Sequence, residues 1–308
     1  MDGTDIGLWG VPLAILAGAI RVSTPFIFVS LGEMITERSG RINLGLEGTL
    51  VFGAMAAYGT AVMTGSPWLG VLAAMGAGAL FGLIHGFICK FPKVNDIAIG
   101  IAMMQFGLGL AFFLGKPFIQ PAAPKLPSIP FGGWSSYPQI QAALNINVLF
   151  LIGILLAFVL SWALRNTRIG LILRVAGDSS DAARAMGLNP DTIRLLATAV
   201  GGALAAVGGA YLSLFYPGSW NEGISSGQGL MAVALVIFAR WNPLGCLLAS
   251  LLFGGAGALG PALQSVGVTS GYYLFYAAPY VLTLIIMIAT SSPTRSLTGA
   301  PAALSLTK

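Results

Sequence analysis

The chain has 308 residues, 56% of them hydrophobic and 8% charged, with mean hydropathy +0.86 and a formal charge of +5. A soluble domain carries about 25% charged residues, so this sequence lacks the polar coat that a water-soluble core of this size requires. The modest positive charge points to no nucleic-acid partner, and its placement along the chain reports membrane topology instead.

Residues 1–10, MDGTDIGLWG, lack the basic start of a cleaved signal peptide, so the first apolar segment reads as a retained span. Nine apolar segments follow in order: 9–35, 42–62, 67–89, 94–116, 145–163, 193–216, 227–240, 243–263 and 272–292. Stretches near 20 apolar residues cross a bilayer as helix. The predicted fold is therefore a single all-α, polytopic membrane domain over 1–308 with about nine transmembrane segments. The seventh is too short to cross as regular helix and reads as broken or re-entrant, which is tolerated where protein covers it.

Arg21 and Glu33, in the first segment, are twelve residues apart; that is about 18 Å of helix, too far for a direct pair. The second segment opens on a polar island, RINLGLEGTLVFGA at 41–54. Asn43 and Glu47 are expected on one helical face, and Gly45 and Gly48 allow close approach or a helix break. A carboxylate here is costly. Two readings stay open: a polar element beside a translocation pathway, or a Glu that caps a broken neighbouring helix or pairs with an arginine.

His85, alone on an apolar helix, reads as a packing or interfacial residue, and Cys89 and Cys246 read as small structural thiols without metal-ligand spacing. Asn95 and Asp96 suit a helix start. Gln105 lies deeper, with Phe106 beside it. Asn43, Glu47, Asn95, Gln105, Phe106 and Gln228 are the pathway or gate candidates.

Twelve of the 15 Lys and Arg fall on alternate connections, among them Arg38, Arg41, Lys90, Lys93, Arg165, Arg168, Arg174, Arg184, Arg194, Arg240, Arg295 and Lys308. The positive-inside rule makes those connections cytoplasmic. The N-terminus with Asp2 and Asp5 is then outside and the C-terminus inside. Residues 117–144 and 217–226 become extracytoplasmic loops, the latter with Trp220 and Glu222. SPWLGVLAAMGAGALFG at 66–82 is similar to NPLGCLLASLLFGG at 242–255, each after a Gly-rich segment with a polar start, at 45–48 and 225–229. In this topology the copies run oppositely, as in inverted-repeat transporters.

The cytoplasmic segment 164–192 contains GDSSDAARAMGLN, a compact helical unit. Asp178 or Ser179 can cap it, Ala182, Ala183, Ala185 and Met186 give it an apolar face, and Gly187 can stop it. Such a helix docks on a soluble partner or lies at the interface without one. No HExxH, cysteine cluster or Walker A motif is present, and GKP at 115–117 lacks the upstream glycine and the following Ser or Thr. No catalytic residue, metal or cofactor is expected in this chain, so active transport would draw on an ion gradient or a partner.

Three spaced motifs carry a family resemblance. RINLGLEGTLVFGA, preceded by SLGEMITERSG at 30–40, resembles the early signature of ABC importer permeases of the branched-chain amino acid and simple-sugar superfamily. It is most like the nucleoside-type branch that serves basic-membrane-protein-type lipoprotein receptors, and the ribose-type pattern GGIDLSVG is absent. NTRIGLILRVAGDSSDAARAMGLNP at 166–190 resembles the family's coupling segment, with Asp178 where Glu is commoner. Residues 230–259 resemble a third motif, with Ala239 in place of a usual Gly. The resemblance implies a type II-like fold with discontinuous helices. It implies ATPase coupling through Gly177, Asp178, Ala182, Ala183, Met186 and Gly187, and two ATPase domains holding ATP and Mg. It further implies a second, different permease, an external lipoprotein or periplasmic binding protein meeting the loops near Trp220 and Glu222, a nucleoside cargo and a bacterial inner-membrane location. Two alternatives remain: a permease for a sugar or another heterocycle, and an ion-coupled secondary transporter.

Overall fold

A computed structural model describes residues 10–119, 121–265, 277–290 and 299–305. Its helices are α1 (Gly10–Arg38), α2 (Leu46–Thr64), α3 (Pro67–Ile88), α4 (Asp96–Gly115), α5 (Pro138–Ala143), α6 (Val148–Asn166), α7 (Arg168–Asp178), α8 (Ser180–Ala185), α9 (Pro190–Leu214), α10 (Gln228–Phe238), α11 (Pro243–Ser265), α12 (Ala278–Thr290) and α13 (Ala302–Ser305). Among the described residues seven helices are long and apolar enough to cross a membrane: α1, α2, α3, α4, α6, α9 and α11. The expected short seventh segment is α10, of 11 residues. The ninth is described only in part, as α12. Asp2, Asp5, Arg295 and Lys308, used above for orientation, lie outside the described residues.

Helix starts follow capping chemistry. Asn95, Asn147, Thr167, Ser179 and Asn189 each accept a hydrogen bond from a first-turn N–H, satisfying donors that the helix itself leaves open. Such caps matter more where no water competes.

The core forms where α1, α2, α3, α9 and α11 meet, and small residues set the spacing. A Cβ on Gly78 would lie 2.2 Å from the carbonyl oxygen of Gly202, and one on Gly82 would lie 2.0 Å from that of Thr198. Backbones at such a distance exclude any side chain. On the other side of the bundle Gly18 meets Ala258, and Gly254 meets Ala19 and Ser23. Between these pairs Gly32 meets Gly201 and Gly208 meets Pro25. Each pairing is antiparallel, so α3 packs along α9 as α11 packs along α1, and α3 and α11 run in opposite directions. Both begin alike, with Ser66 or Asn242 ahead of a first-turn proline.

Two expectations need correction. The segment 42–62 is not helical throughout: residues 39–45 are irregular and mostly buried, and α2 starts at Leu46. Asn43 and Glu47 therefore do not share a helical face. The cause is local, because Asn43 Oδ1 accepts from Gly45 N at 2.9 Å, an Asx turn that competes with helix. The stretch 117–144 is more than a loop. It includes a strand, β1 (Ser128–Pro130), paired antiparallel with β2 (Asn145–Asn147). Tyr58 Oη donates to Pro121 O at 2.8 Å and Leu126 N to Leu214 O at 3.0 Å, which pins this layer to the bundle.

Candidate functional site

Glu47 opens α2, 6% exposed. Its carboxylate meets the start of α10: Oε1 accepts from Ser225 Oγ at 2.5 Å and from Gly227 N at 3.0 Å, and Oε2 accepts from Gly229 N at 2.6 Å. Gly227 adopts φ +84°, a conformation glycine takes without steric penalty. A Cβ at Gly229 would stand 2.6 Å from Glu47 Cα, so the two elements meet at backbone contact. The two polar starts of the repeat thus face each other, and a carboxylate from one caps the helix of the other. The open N–H groups and positive end of α10 offset the cost of burying that charge. Gln228, in the first turn of α10, is half-buried, and its side-chain oxygen is buried without a partner among the described residues.

The segment before α2 is held from several sides. Glu33, five residues before the end of α1 and so about 7.5 Å along the helix, accepts from Asn43 N at 2.8 Å. The chain therefore dips back beside α1 after leaving it. Arg41 Nη1 pairs with Asp96 Oδ1 at 2.8 Å, with the side chains 15% and 6% exposed. His85 Nε2 contacts Ile42 O at 3.2 Å. Glu37 accepts from Trp241 Nε1, and Arg38 Nε donates to Trp241 O at 3.0 Å, so the α10–α11 turn is fastened to the end of α1.

The second site is the unit 177–190. Ser179 Oγ accepts from Ala182 N at 3.2 Å and starts α8. Gly187, at φ +75°, ends it, with Leu188 N donating to Ala183 O at 3.0 Å, a Schellman closure. The expected apolar face is split. Ala183 is fully buried, whereas Ala182, Ala185 and Met186 are exposed, Met186 by 56%. Gly177 is buried, and a Cβ there would stand 2.1 Å from Arg38 O. Asp178 and Gly187 are exposed. Arg194 joins this unit to the first site, donating through Nε to Ser39 O at 3.0 Å and through Nη2 to Ala176 O at 3.0 Å and Ser180 Oγ at 3.1 Å.

The family model for the branched-chain amino acid transport system permease component matches residues 15–291. This chain belongs to that permease family. Among its relatives, the guanosine ABC transporter permease protein NupQ of Bacillus subtilis is 31% identical over 299 residues, 89% of this chain and 91% of the relative. The nucleoside ABC transporter permease protein NupC of Lactococcus lactis subsp. cremoris is 31% identical over 294 residues, 89% and 90% of the two chains. A Haloferax volcanii protein named provisionally as a glucose ABC transporter permease, TsgC13, is 31% identical over 257 residues, 82% and 78% of the two chains.

The other expected residues of this permease scatter. Asn95 is an exposed N-cap that accepts from Ile97 N and Ala98 N. Gln105 and Phe106 are exposed on α4, and Phe106 stacks on Phe81 at 5.9 Å, which in turn stacks on Phe52 at 4.7 Å. Trp220 is not presented outward: it is 2% exposed, and its Nε1 donates to Gly115 O at 3.0 Å. A Cβ at Gly115 would stand 2.5 Å from the indole nitrogen, so this glycine leaves the room that the ring fills. Glu222 is exposed. Sequence reasoning missed Glu37, Arg194 and Trp241 as positioning residues. A carboxylate at the end of an apolar segment signals one partner, yet its indole lies 204 residues away.

Proposed function

We propose that this chain is the transmembrane subunit of an ATP-driven importer of nucleosides, itself without catalytic residues. In this reading it works with two ATPase subunits that carry ATP and Mg, a second, different permease, and an external lipoprotein or periplasmic binding protein. The observation that carries the reading is the build of 177–190. Gly177 and Ala183 seat the unit against the bundle, while Ala182, Ala185 and Met186 face out. A short apolar helix held rigidly on a membrane domain suits docking into a soluble ATPase. Arg194 then passes a push on α8 to residue 39 and the end of α1.

The nucleoside cargo is supported by the names of NupQ and NupC. TsgC13 favours a second reading, a sugar, with selectivity resting in the external binding protein. An ion-coupled carrier gives the exposed helix no role. The face bearing Arg38, Arg165 and α8 is the cytoplasmic one, and 117–144 and 217–226 meet the binding protein, with Glu222 as a contact. Gln105, Phe106 and Gln228 are the pathway residues of this reading, with Asn95 at its cytoplasmic mouth. Asn43 and Glu47 act as gate scaffold, because the start of α10 moves only with α2.

Uptake by the assembled complex in proteoliposomes tests this. ATP-dependent accumulation of guanosine that excess glucose leaves unchanged is expected. Glucose accumulation in place of guanosine would move the cargo to the second reading. Uptake by this chain without ATPases under an ion gradient would overturn the proposal.

A further inference from the structure

A cavity of about 200 Å³ lies where three candidate spans end on one face of the bundle. Its polar lining is Arg38 from the end of α1, Ser161 and Arg165 from the last turns of α6, Arg174 from α7 and Asn242 from the start of α11. Leu164 and Pro243 complete the wall. Three arginines line it, Arg38 and Arg174 each using only Nε on a backbone carbonyl, of Trp241 and Gly170, and among the described residues no carboxylate lines the cavity. Asp178 lies outside the lining. Three gathered cations with no acid between them leave a positive field in a partly desolvated hollow, and planar guanidinium forks match phosphate oxygens. The hollow has room for several water molecules at about 30 Å³ each or for one phosphate group.

One further observation favours a particular source of that phosphate. Leu155, Phe158 and Trp162 precede Arg165 at helical spacing on one face of α6, and they are 63%, 56% and 61% exposed. They form an exposed apolar stripe on a candidate span that leads to Arg165, with the indole of Trp162 nearest the cavity, the residue type found at many membrane interfaces. Acyl chains on this stripe put a headgroup phosphate at Arg165.

We infer that this cavity is a phosphate site that holds the headgroup of an anionic phospholipid, fastening α6 and α7 to the α10–α11 turn beside the coupling unit. The single negative charge of the headgroup phosphate offsets part of the repulsion among Arg38, Arg165 and Arg174. Inorganic phosphate offers the same chemistry without the acyl chains.

Full-length protein in phosphatidylcholine nanodiscs, titrated with labelled phosphatidylglycerol, separates these cases. Saturable binding is expected, weaker by about fivefold for R165Q or R174Q alone and roughly thirtyfold for both together. Binding that excess inorganic phosphate leaves intact identifies the lipid as occupant. Displacement by inorganic phosphate keeps the site and assigns it to the free anion. R184Q, an exposed arginine outside the cavity, should bind as wild type does. R165Q alters an exposed side chain, so its folding is checked by an unchanged melting temperature in phosphatidylcholine alone. Non-saturable binding of both probes to the wild type, or wild-type affinity in R165Q and in the double variant, overturns the inference.

Discussion

The seam at 39–47 and 225–229 and the unit at 177–190 are both polar interruptions in an apolar chain, but they use their polar atoms in opposite ways. In the seam, buried carboxylates turn inward onto backbone: Glu47 onto α10, Glu33 onto Asn43 N. In the unit Ser179 caps a short helix whose outer side carries Met186 beside the exposed pair Asp181 and Arg184, while Ala183 is buried. The difference separates support from contact. A buried carboxylate inside a membrane domain needs its partners in place, and Glu47 has three donors, from Ser225, Gly227 and Gly229, that tie α2 to the start of α10. An exposed methionine on a capped, seated helix is 56% uncovered by the described residues and is available to meet another chain.

Four substitutions sharpen that contrast. The largest effect is expected for Glu47→Ala, which strips the acceptor from Ser225, Gly227 and Gly229 at once. It should cost about 3–5 kcal/mol, seen as loss of monodisperse protein in detergent, with Glu47→Gln milder. Wild-type melting of Glu47→Ala would remove the cap from the account. Ala183→Glu forces a charge into a fully buried position and should likewise yield little folded protein, because an unpaired buried charge is among the costliest changes. Arg194→Gln loses charged hydrogen bonds worth about 1.5–3 kcal/mol each when well formed. Its thermal midpoint should fall clearly, yet by less than that of Glu47→Ala, because the arginine is partly solvated. The smallest loss belongs to Gly187→Ala, where φ +75° costs an L-residue roughly 1–2 kcal/mol; a melting curve on the wild type would mean that α8 ends in another way.

Much of this was legible in the sequence for identifiable reasons. Span lengths, the short α10 and the caps at Ser179 and Asn95 follow from local patterns that one chain segment carries within itself. The polar island at Glu47 was visible because a carboxylate in apolar sequence is conspicuous. Its partner was not, since Ser225 lies 178 residues away and nothing local at either end names the other. Asn43 misled because a four-residue spacing suggests one helical face until its side chain closes an Asx turn onto Gly45. The alanines of α8 showed that the helix was apolar but not which side the bundle would cover, since Ala182 and Ala183 are chemically identical and only packing against α7 and α9 tells them apart. The three-residue strands escaped notice because prolines at 127 and 130 argue against strand.

The central claim is that the exposed side of α8 receives the ATPase while its buried side only seats the helix. ATP hydrolysis by the assembled complex in the presence of loaded binding protein, measured for Met186→Glu, tests it most directly. The exposed position predicts a melting temperature near wild type, since surface changes usually stay within about 0.5 kcal/mol, together with loss of nucleoside-stimulated hydrolysis. Full stimulation in a stable, assembled Met186→Glu complex would contradict the claim.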